Sequence, residues 1–231
     1  MVKSTNSEQG LGELALMLSG ATGQLGQAIC NLVEGKNQHQ VVARYDRQSG
    51  FSEQPLGDVV IDVSHYAQTP KIVAFAVEHQ LPLVIGTTAL SDATQVAIEE
   101  ASHEIAICQA SNFSVGANVL MRLVAMTAEA LPGFEIHIKE IHHRHKIDAP
   151  SGTTKSLQAA MEAVGVEGVT HESIREGEVV GTHAVTFSGP DESISLTHEA
   201  TDRGVFARGA LLAAERLVGR PPGLYALTDL I

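Results

Sequence analysis

The sequence predicts an α/β protein, a doubly wound parallel sheet followed by a second unit of α+β type. Three observations carry this. Short apolar runs alternate with helical patterns over the first half of the chain. A glycine-punctuated turn joins the first run to the first helix. Beyond Ser114 the pattern changes, and the next strand alternates apolar and polar residues along its length.

The apolar stretch Leu14–Leu18 reads as a buried strand, and the turn Gly20–Gly26 leads into a helix over Gln27–Glu34. Strands follow at Val41–Tyr45 and Val59–Val63, joined by a connection too short for a flanking helix. Next come a helix over Pro70–His79, a strand at Leu83–Ile85, a helix over Asp92–Ala101 with Ser91 as its N-cap, and a strand at Ile105–Cys108. In the second part the spacing predicts a helix over Val115–Ala130, an alternating strand over Phe134–Ile141, a polar loop over His142–Gly152 and a helix over Thr154–Val164. Strand-like runs near Val179–Phe187 and Ser193–His198 precede a closing helix over Val205–Val218. The expected domains are therefore 1–113, with 1–13 a flexible lead, and 114–209. A segment over 210–231 is left free to return to the first domain.

A chain of 231 residues with 44% apolar content buries a substantial core. Its apolar runs fall far short of the roughly 20 residues that a membrane span needs. The polar start lacks a secretory pattern. Cys30 and Cys108 form no CxxC pair and fit a reducing cytoplasm. The net charge of −12, the absence of Trp and an aromatic content of 4% argue against nucleic acid and anionic membrane as partners. An anionic small substrate would need a local basic pocket.

Gly20-Ala21-Thr22-Gly23-Gln24-Leu25-Gly26 has the GxxGxxG spacing that lets a pyrophosphate approach exposed N–H groups at a helix start. The turn follows a strand, opens a helix and lies 20 residues before Asp46, where a carboxylate can accept hydrogen bonds from ribose hydroxyls. Arg47 can pair with a 2′-phosphate, which leaves both NADH and NADPH open. A glycine-rich turn that binds nothing, and a solvated Arg47, are the plainer alternatives. The loops Gly86-Thr87-Thr88 and Ala110-Ser111-Asn112-Phe113 leave the carboxyl ends of strands, where hydroxyls and a flat ring could place a nicotinamide. Turn chemistry and a core Phe account for each taken alone.

The segment Glu140-Ile141-His142-His143-Arg144-His145-Lys146-Ile147-Asp148-Ala149-Pro150-Ser151-Gly152-Thr153 gathers proton donors, a permanent cation and a Ser-Gly-Thr turn suited to a carboxylate at a helix N-terminus. A metal site drawn from His142, His143 and His145 fits poorly, because neighbours on a strand face opposite ways and Arg144 and Lys146 oppose a dication. A solvated basic surface leaves the Ser-Gly-Thr turn without a role. Acid catalysis with anion binding uses every element and involves no metal.

The pattern Glu-x-His-His-x-x-Lys-x-Asp-Ala-Pro-Ser-Gly-Thr resembles the signature of the 4-hydroxy-tetrahydrodipicolinate (dihydrodipicolinate) reductase family. The likeness extends from Leu14 through Gly86-Thr87-Thr88, Asn112–Gly116 and Arg175-Glu176-Gly177 to the tail. It implies a Rossmann-like cofactor domain, a mixed-sheet domain supplying substrate residues and a homotetramer interface, and a cytoplasmic enzyme of the diaminopimelate and lysine route. It further implies NADH or NADPH as cofactor and a small cyclic dicarboxylate as substrate. By position His142 resembles the proton donor and Lys146 its partner. His143, Ser151, Gly152, Thr153 and Thr88 match the substrate-carboxylate binders. Gly20, Ala21, Thr22, Gly23, Gln24, Leu25, Asp46, Arg47, Gly86, Thr87, Thr88, Ala110, Ser111, Asn112 and Phe113 match the nucleotide contacts, and Arg203 an arginine near a hinge. The sequence departs from the family in its short segment after Arg47, in Gln24 where a basic residue is usual, and in Ala89 where glycine is usual. Arg144 and Lys146 are expected to lower the His142 pKa by like-charge repulsion. The competing reading is a dinucleotide sensor that keeps the fold without turnover.

Overall fold

The protein is described by a computed structural model covering residues 12–36, 39–45 and 57–231. Most of the expected lead, Asp46, Arg47 and the connection through residue 56 lie outside the described residues. The chain divides into two units, the first running to Cys108 with Leu211–Leu224 added, the second comprising Gln109–Ala210 and Tyr225–Ile231.

The first unit contains β1 (Leu14–Ser19), α1 (Gln24–Lys36), β2 (His39–Tyr45), β3 (Val59–Asp62), α2 (Thr69–Glu78), β4 (Leu83–Ile85), α3 (Asp92–Ala101) and β5 (Ala106–Gln109). Their sheet has the order β10-β5-β4-β3-β1-β2, where β10 is Gly223–Tyr225 near the C-terminus. The pairings β1–β2, β1–β3 and β3–β4 are parallel. Every residue of β3 and β4 is buried, which is why Val59–Ile61 and Leu83–Ile85 read as apolar runs rather than alternating ones. Met17, Val60, Leu83, Ile85 and Ile107 pack with Ile72 and Phe75 of α2 and Ile98 of α3. Ser91 caps α3 by accepting a hydrogen bond from Thr94 N, as the spacing predicts. The strand order reverses on either side of β1, so its carboxyl end, where the glycine turn begins, is the switch point at which such sheets bind ligands.

The second unit contains α4 (Val115–Ala130), β6 (Glu135–His142), α5 (Gly152–Glu162), β7 (Thr170–Arg175), β8 (Gly181–Ser188) and β9 (Ser193–Ala200). The division between units falls within α6 (Gly204–Leu217). The sheet order is β7-β6-β8-β9, with β6–β7 parallel and the other two pairings antiparallel, so the sheet is mixed. Leu120 and Val124 of α4 and Leu157 and Met161 of α5 cover one face through Ile136, Ile138, Val185 and Phe187. Glu135, His137 and Lys139 are exposed on the opposite side of β6, which accounts for its alternation.

Two strands were not anticipated. β7 contains no buried residue and β10 has three residues, so neither carries a periodic apolar signal. The boundary of β6 also shifts. His142, expected to open the loop, is the last residue of the strand and buried, because the inward face continues Ile136, Ile138, Glu140, His142.

Candidate active site

In the first unit, the backbone of Gly20 has φ +87°, and a Cβ there would press into the carbonyl of Val63. A Cβ on Gly26 would collide with the Gly20 carbonyl. Glycine at both places lets the turn fold tightly against β3 and lets α1 start immediately behind it. Gly23 N donates to Gly20 O at 2.9 Å and Gln27 Nε2 to Thr22 O at 2.8 Å, which closes the turn on itself. Ala21, Thr22, Gly23, Gln24 and Leu25 thus wrap the N-terminus of a 13-residue helix, whose first N–H groups have no carbonyl one turn before them. This cradle fits a pyrophosphate.

The second loop is held by Asp62, a fully buried carboxylate at the end of β3 to which the sequence reading gave no role. Its side chain accepts from Ser64 N and Oγ and Thr69 Oγ1, while its carbonyl receives Gly86 N at 2.8 Å. Burial raises its pKa against the opposing pull of those hydrogen bonds. Thr87 is buried and turned toward the Asp62 carbonyl, whereas Thr88 is exposed. Ala89 adopts φ +58°, a conformation that glycine takes without strain, so the departure from the family pattern has a visible backbone cost.

In the second unit, Ala110 and Asn112 are half-buried and Ser111 is exposed, but Phe113 is only 2% exposed. Its ring is therefore core and not a surface platform. Ser114 caps α4, and Asn118 donates to the carbonyls of Asn112 and Ser114, which fixes the loop to the helix start.

The histidine-rich loop is built on Glu140. This carboxylate, fully buried, accepts from Ser151 N at 3.0 Å, Thr154 Oγ1 at 2.6 Å and Arg175 Nη2 at 2.9 Å. Burial alone would raise its pKa, yet Ser151, Thr154 and Arg175 together hold it well below the carboxylate range. Arg175 also donates to the carbonyls of Lys146 and Asp148, so one guanidinium laces the loop to the strand beneath. His142 Nδ1 lies 4.0 Å from Glu140 Oε1. His183, directly opposite Glu140 on β8, stacks edge-on against His142 with ring centroids 5.0 Å apart, and its Nε2 is 3.2 Å from Ser151 Oγ. The Nδ1 atoms of His142 and His183 are buried without a hydrogen-bond partner.

Both histidines have their pKa lowered, which favours the neutral imidazole. Burial is the first cause for His142, opposed by Glu140 and reinforced by Lys146 and Arg175; of the two cations expected in that role Lys146 acts, whereas Arg144 faces Glu178 at 3.6 Å. Burial and the neighbouring His142 push His183 down to about 4. Lys146 Nζ is bound by both oxygens of Asp148, at 2.7 and 2.9 Å.

Ser151 is buried and caps α5 by accepting from Thr154 N, while its own N–H goes to Glu140. Gly152 is exposed and Thr153 half-buried. His143 is half-buried and His145 exposed, their rings 6.3 Å apart. The loop histidines His142, His143 and His145 do not form one cluster. The ligand atoms of Glu140, His142 and His183 do lie within 4.8 Å of one another, but Arg175 already occupies the carboxylate that a dication would need. Arg203 is exposed at the start of α6. The sequence assigns no role to Glu140, Arg175 or His183; for Glu140 and His183 the available signal is a polar residue at an inward position of an alternating strand, whereas β7, which carries Arg175, has no such alternation.

Comparison with known proteins identifies the family. The family described as dihydrodipicolinate reductase, N-terminus, matches residues 14–113, and dihydrodipicolinate reductase, C-terminus, matches 116–231. The 4-hydroxy-tetrahydrodipicolinate reductase of Xanthomonas axonopodis pv. citri (strain 306) is 40% identical over 94% of this chain and 97% of its own length. That of Stenotrophomonas maltophilia (strain R551-3) is 41% identical over 94% and 98%. Among solved structures, a dipicolinate-bound dihydrodipicolinate reductase from Paenisporosarcina sp. TG-14 superimposes with a TM-score of 0.82 at 20% identity, covering 95% of this chain and all of the other, a likeness of fold. With both halves matched and relatives alike over nearly their whole length, the chain belongs to the dihydrodipicolinate reductase family.

Proposed function

We propose that the chain reduces 4-hydroxy-tetrahydrodipicolinate to tetrahydrodipicolinate with NADH or NADPH, a step toward diaminopimelate and lysine. The observation that carries this reading is the Glu140 platform. A single buried anion holds a helix N-terminus and, through Arg175, a lysine-bearing loop, and His142 lies beside it.

The glycine turn at Gly20–Leu25 fits a dinucleotide pyrophosphate, and Gly86, Thr87, Thr88, Ala110, Ser111, Asn112 and Phe113 complete the nucleotide contacts through backbone and hydroxyl groups. The reduced nicotinamide supplies the hydride. Asp46 and Arg47 read the ribose, the carboxylate favouring NADH and the guanidinium NADPH.

One substrate carboxylate sits at the start of α5 on the N–H groups of Gly152 and Thr153 and the Thr153 hydroxyl, with His143 and Thr88 as further contacts. Ser151 serves by holding that turn, since its N–H and hydroxyl are already engaged. His142 is neutral in the free protein, and a dianion beside it raises its pKa, so the substrate charges the acid that protonates it. Lys146 shares the proton donation and neutralises the carboxylate charge as water leaves the hydroxylated ring.

The reading extends to a cytoplasmic homotetramer joined through the second unit. The exposed sheet face at His137 and Lys139 and the exposed Ile194 on β9 support an interface there, and Cys30 and Cys108 are free thiols. Sedimentation of the purified chain tests the assembly. The function is tested by NAD(P)H oxidation at 340 nm, the usual nicotinamide readout, with freshly generated substrate and each cofactor in turn. Tight nucleotide binding without oxidation would favour a sensor on the same fold.

A further inference from the structure

Asn112 stands in the loop expected to meet the nucleotide, yet its side chain points to the substrate turn. Its Oδ1 accepts from Ser114 N at 2.8 Å, and its Nδ2 lies 3.1 Å from Thr153 Oγ1. The first contact settles the orientation of the amide. A backbone N–H needs an oxygen opposite it, so the group facing Thr153 is the NH2, which can only donate. The backbone around Asn112 is equally constrained, since Asn118 Nδ2 donates to its carbonyl at 2.9 Å and to that of Ser114 at 2.8 Å.

The consequence falls on the Thr153 hydroxyl. A hydroxyl has one hydrogen to give and two lone pairs to receive with. Because Asn112 fills a lone pair, the Thr153 hydrogen stays available and is turned away from the amide. Thr153 is the second residue of α5, beside Gly152, at the end of the helix where N–H groups already favour an anion. A carboxylate placed there meets an oriented O–H donor without first having to break a bond within the protein.

We infer that Asn112 is a positioning residue for substrate: it presets the Thr153 hydroxyl as a donor to the substrate carboxylate. The inference rests on the reading that Thr153 binds that carboxylate, and the experiment separates the two. Asn112→Asp keeps the acceptor for Ser114 N but presents a second oxygen to Thr153, which captures the hydroxyl hydrogen and withdraws it from the ligand. Any general repulsion of the dianion by the new charge acts whether or not a hydroxyl is present, so a double-mutant cycle with Thr153→Val isolates the hydrogen-bond part.

Steady-state kinetics with saturating NADPH are measured for wild type, Asn112→Asp, Thr153→Val and the double variant, together with NADPH binding. Thr153→Val is expected to raise the substrate KM roughly tenfold, the order lost with a hydrogen bond to a charged group, with kcat nearly unchanged. Thr153→Ser should restore it. Asn112→Asp should raise KM by a larger factor in the wild-type background than in the Thr153→Val background, by about fivefold or more. Equal factors in the two backgrounds would overturn the inference while leaving the carboxylate reading intact. An unchanged KM in Thr153→Val would overturn that reading and the inference with it. Should Asn112→Asp fail to fold by circular dichroism, Asn112→Ala takes its place in the cycle with the same criterion.

Discussion

Replacing Glu140 by Gln removes one charge from the centre of the second unit while changing its volume little. The carboxylate receives three donors, two neutral and one a guanidinium that is itself only 20% exposed. The amide keeps one oxygen for Ser151 N and Arg175, but its NH2 then faces Thr154, whose hydroxyl loses its acceptor. Exchanging charge-assisted for neutral hydrogen bonds costs about 1 kcal/mol each. Leaving Arg175 without a counter-charge adds a comparable amount, discounted because water reaches it. The sum is about 3–4 kcal/mol, which for a chain of this size lowers Tm by roughly 6–16 °C. Urea and thermal unfolding followed by circular dichroism measure it, and Arg175→Gln in the same background should cost less than it does alone. The pH dependence gives an independent check. Glu140 has a depressed pKa in the folded state, so its contribution is complete above the ordinary carboxylate value near 4.5 and is lost as pH falls further. The variant should lack that acid-side loss. A cost below about 1 kcal/mol, or strict additivity with Arg175→Gln, would show that the buried carboxylate does not organise the loop.

His142→Gln and Lys146→Ala should each lower kcat by about 10²–10⁴-fold while leaving NADPH binding intact; unchanged turnover in either would remove that residue from the chemistry. His183, held neutral down to about 4 against an ordinary 6.5, takes a proton more readily unfolded than folded, so stability should fall as pH drops from 6.5 toward 4. In His183→Gln that slope should flatten, and a slope matching wild type would mean that other groups set it. Ala89→Gly should relieve the positive φ and stabilise the first unit by about 0.5–1 kcal/mol, whereas a loss of stability would show that the backbone there carries no strain. Extended dialysis against EDTA should leave activity unchanged with no stoichiometric zinc on elemental analysis; activity lost and restored by added metal would replace acid catalysis with Lewis-acid chemistry.

The elements with clean periodicity were legible. Val115–Ala130 and Leu83–Ile85 coincide with α4 and β4, and the glycine turn follows a strand and opens a helix as read from its context. Legibility declined where the site begins, and for a physical reason. On β6 the inward positions pass from Ile136 and Ile138 to Glu140 and His142, and on β8 they run Gly181, His183, Val185, Phe187. A buried polar network replaces apolar side chains at the strand ends, so the hydrophobic pattern fades there. The motif named the residues of the loop but not their supports. Register set Glu140 against His183 and His142 against Arg175, and register is a property of strand pairing that one sequence does not display.

The cations in and beneath the histidine-rich loop share a further property. Arg144 faces Glu178, Lys146 is clasped by Asp148, and Arg175 is bound to Glu140, so each already holds a carboxylate of the protein itself. On the function proposed above, recognition at this loop is an exchange of counter-ions. Asp148, two residues from Lys146, is a tethered competitor present at high effective concentration, and a solitary anion arriving from solvent offers Lys146 nothing that Asp148 does not. A rigid ligand with two carboxylates can engage the α5 N-terminus first and then contest Lys146 from a fixed position, as a tethered rival itself. On that reading the resident carboxylates screen the loop against single small anions, and affinity accrues to ligands whose second charge is held at the right distance from the first.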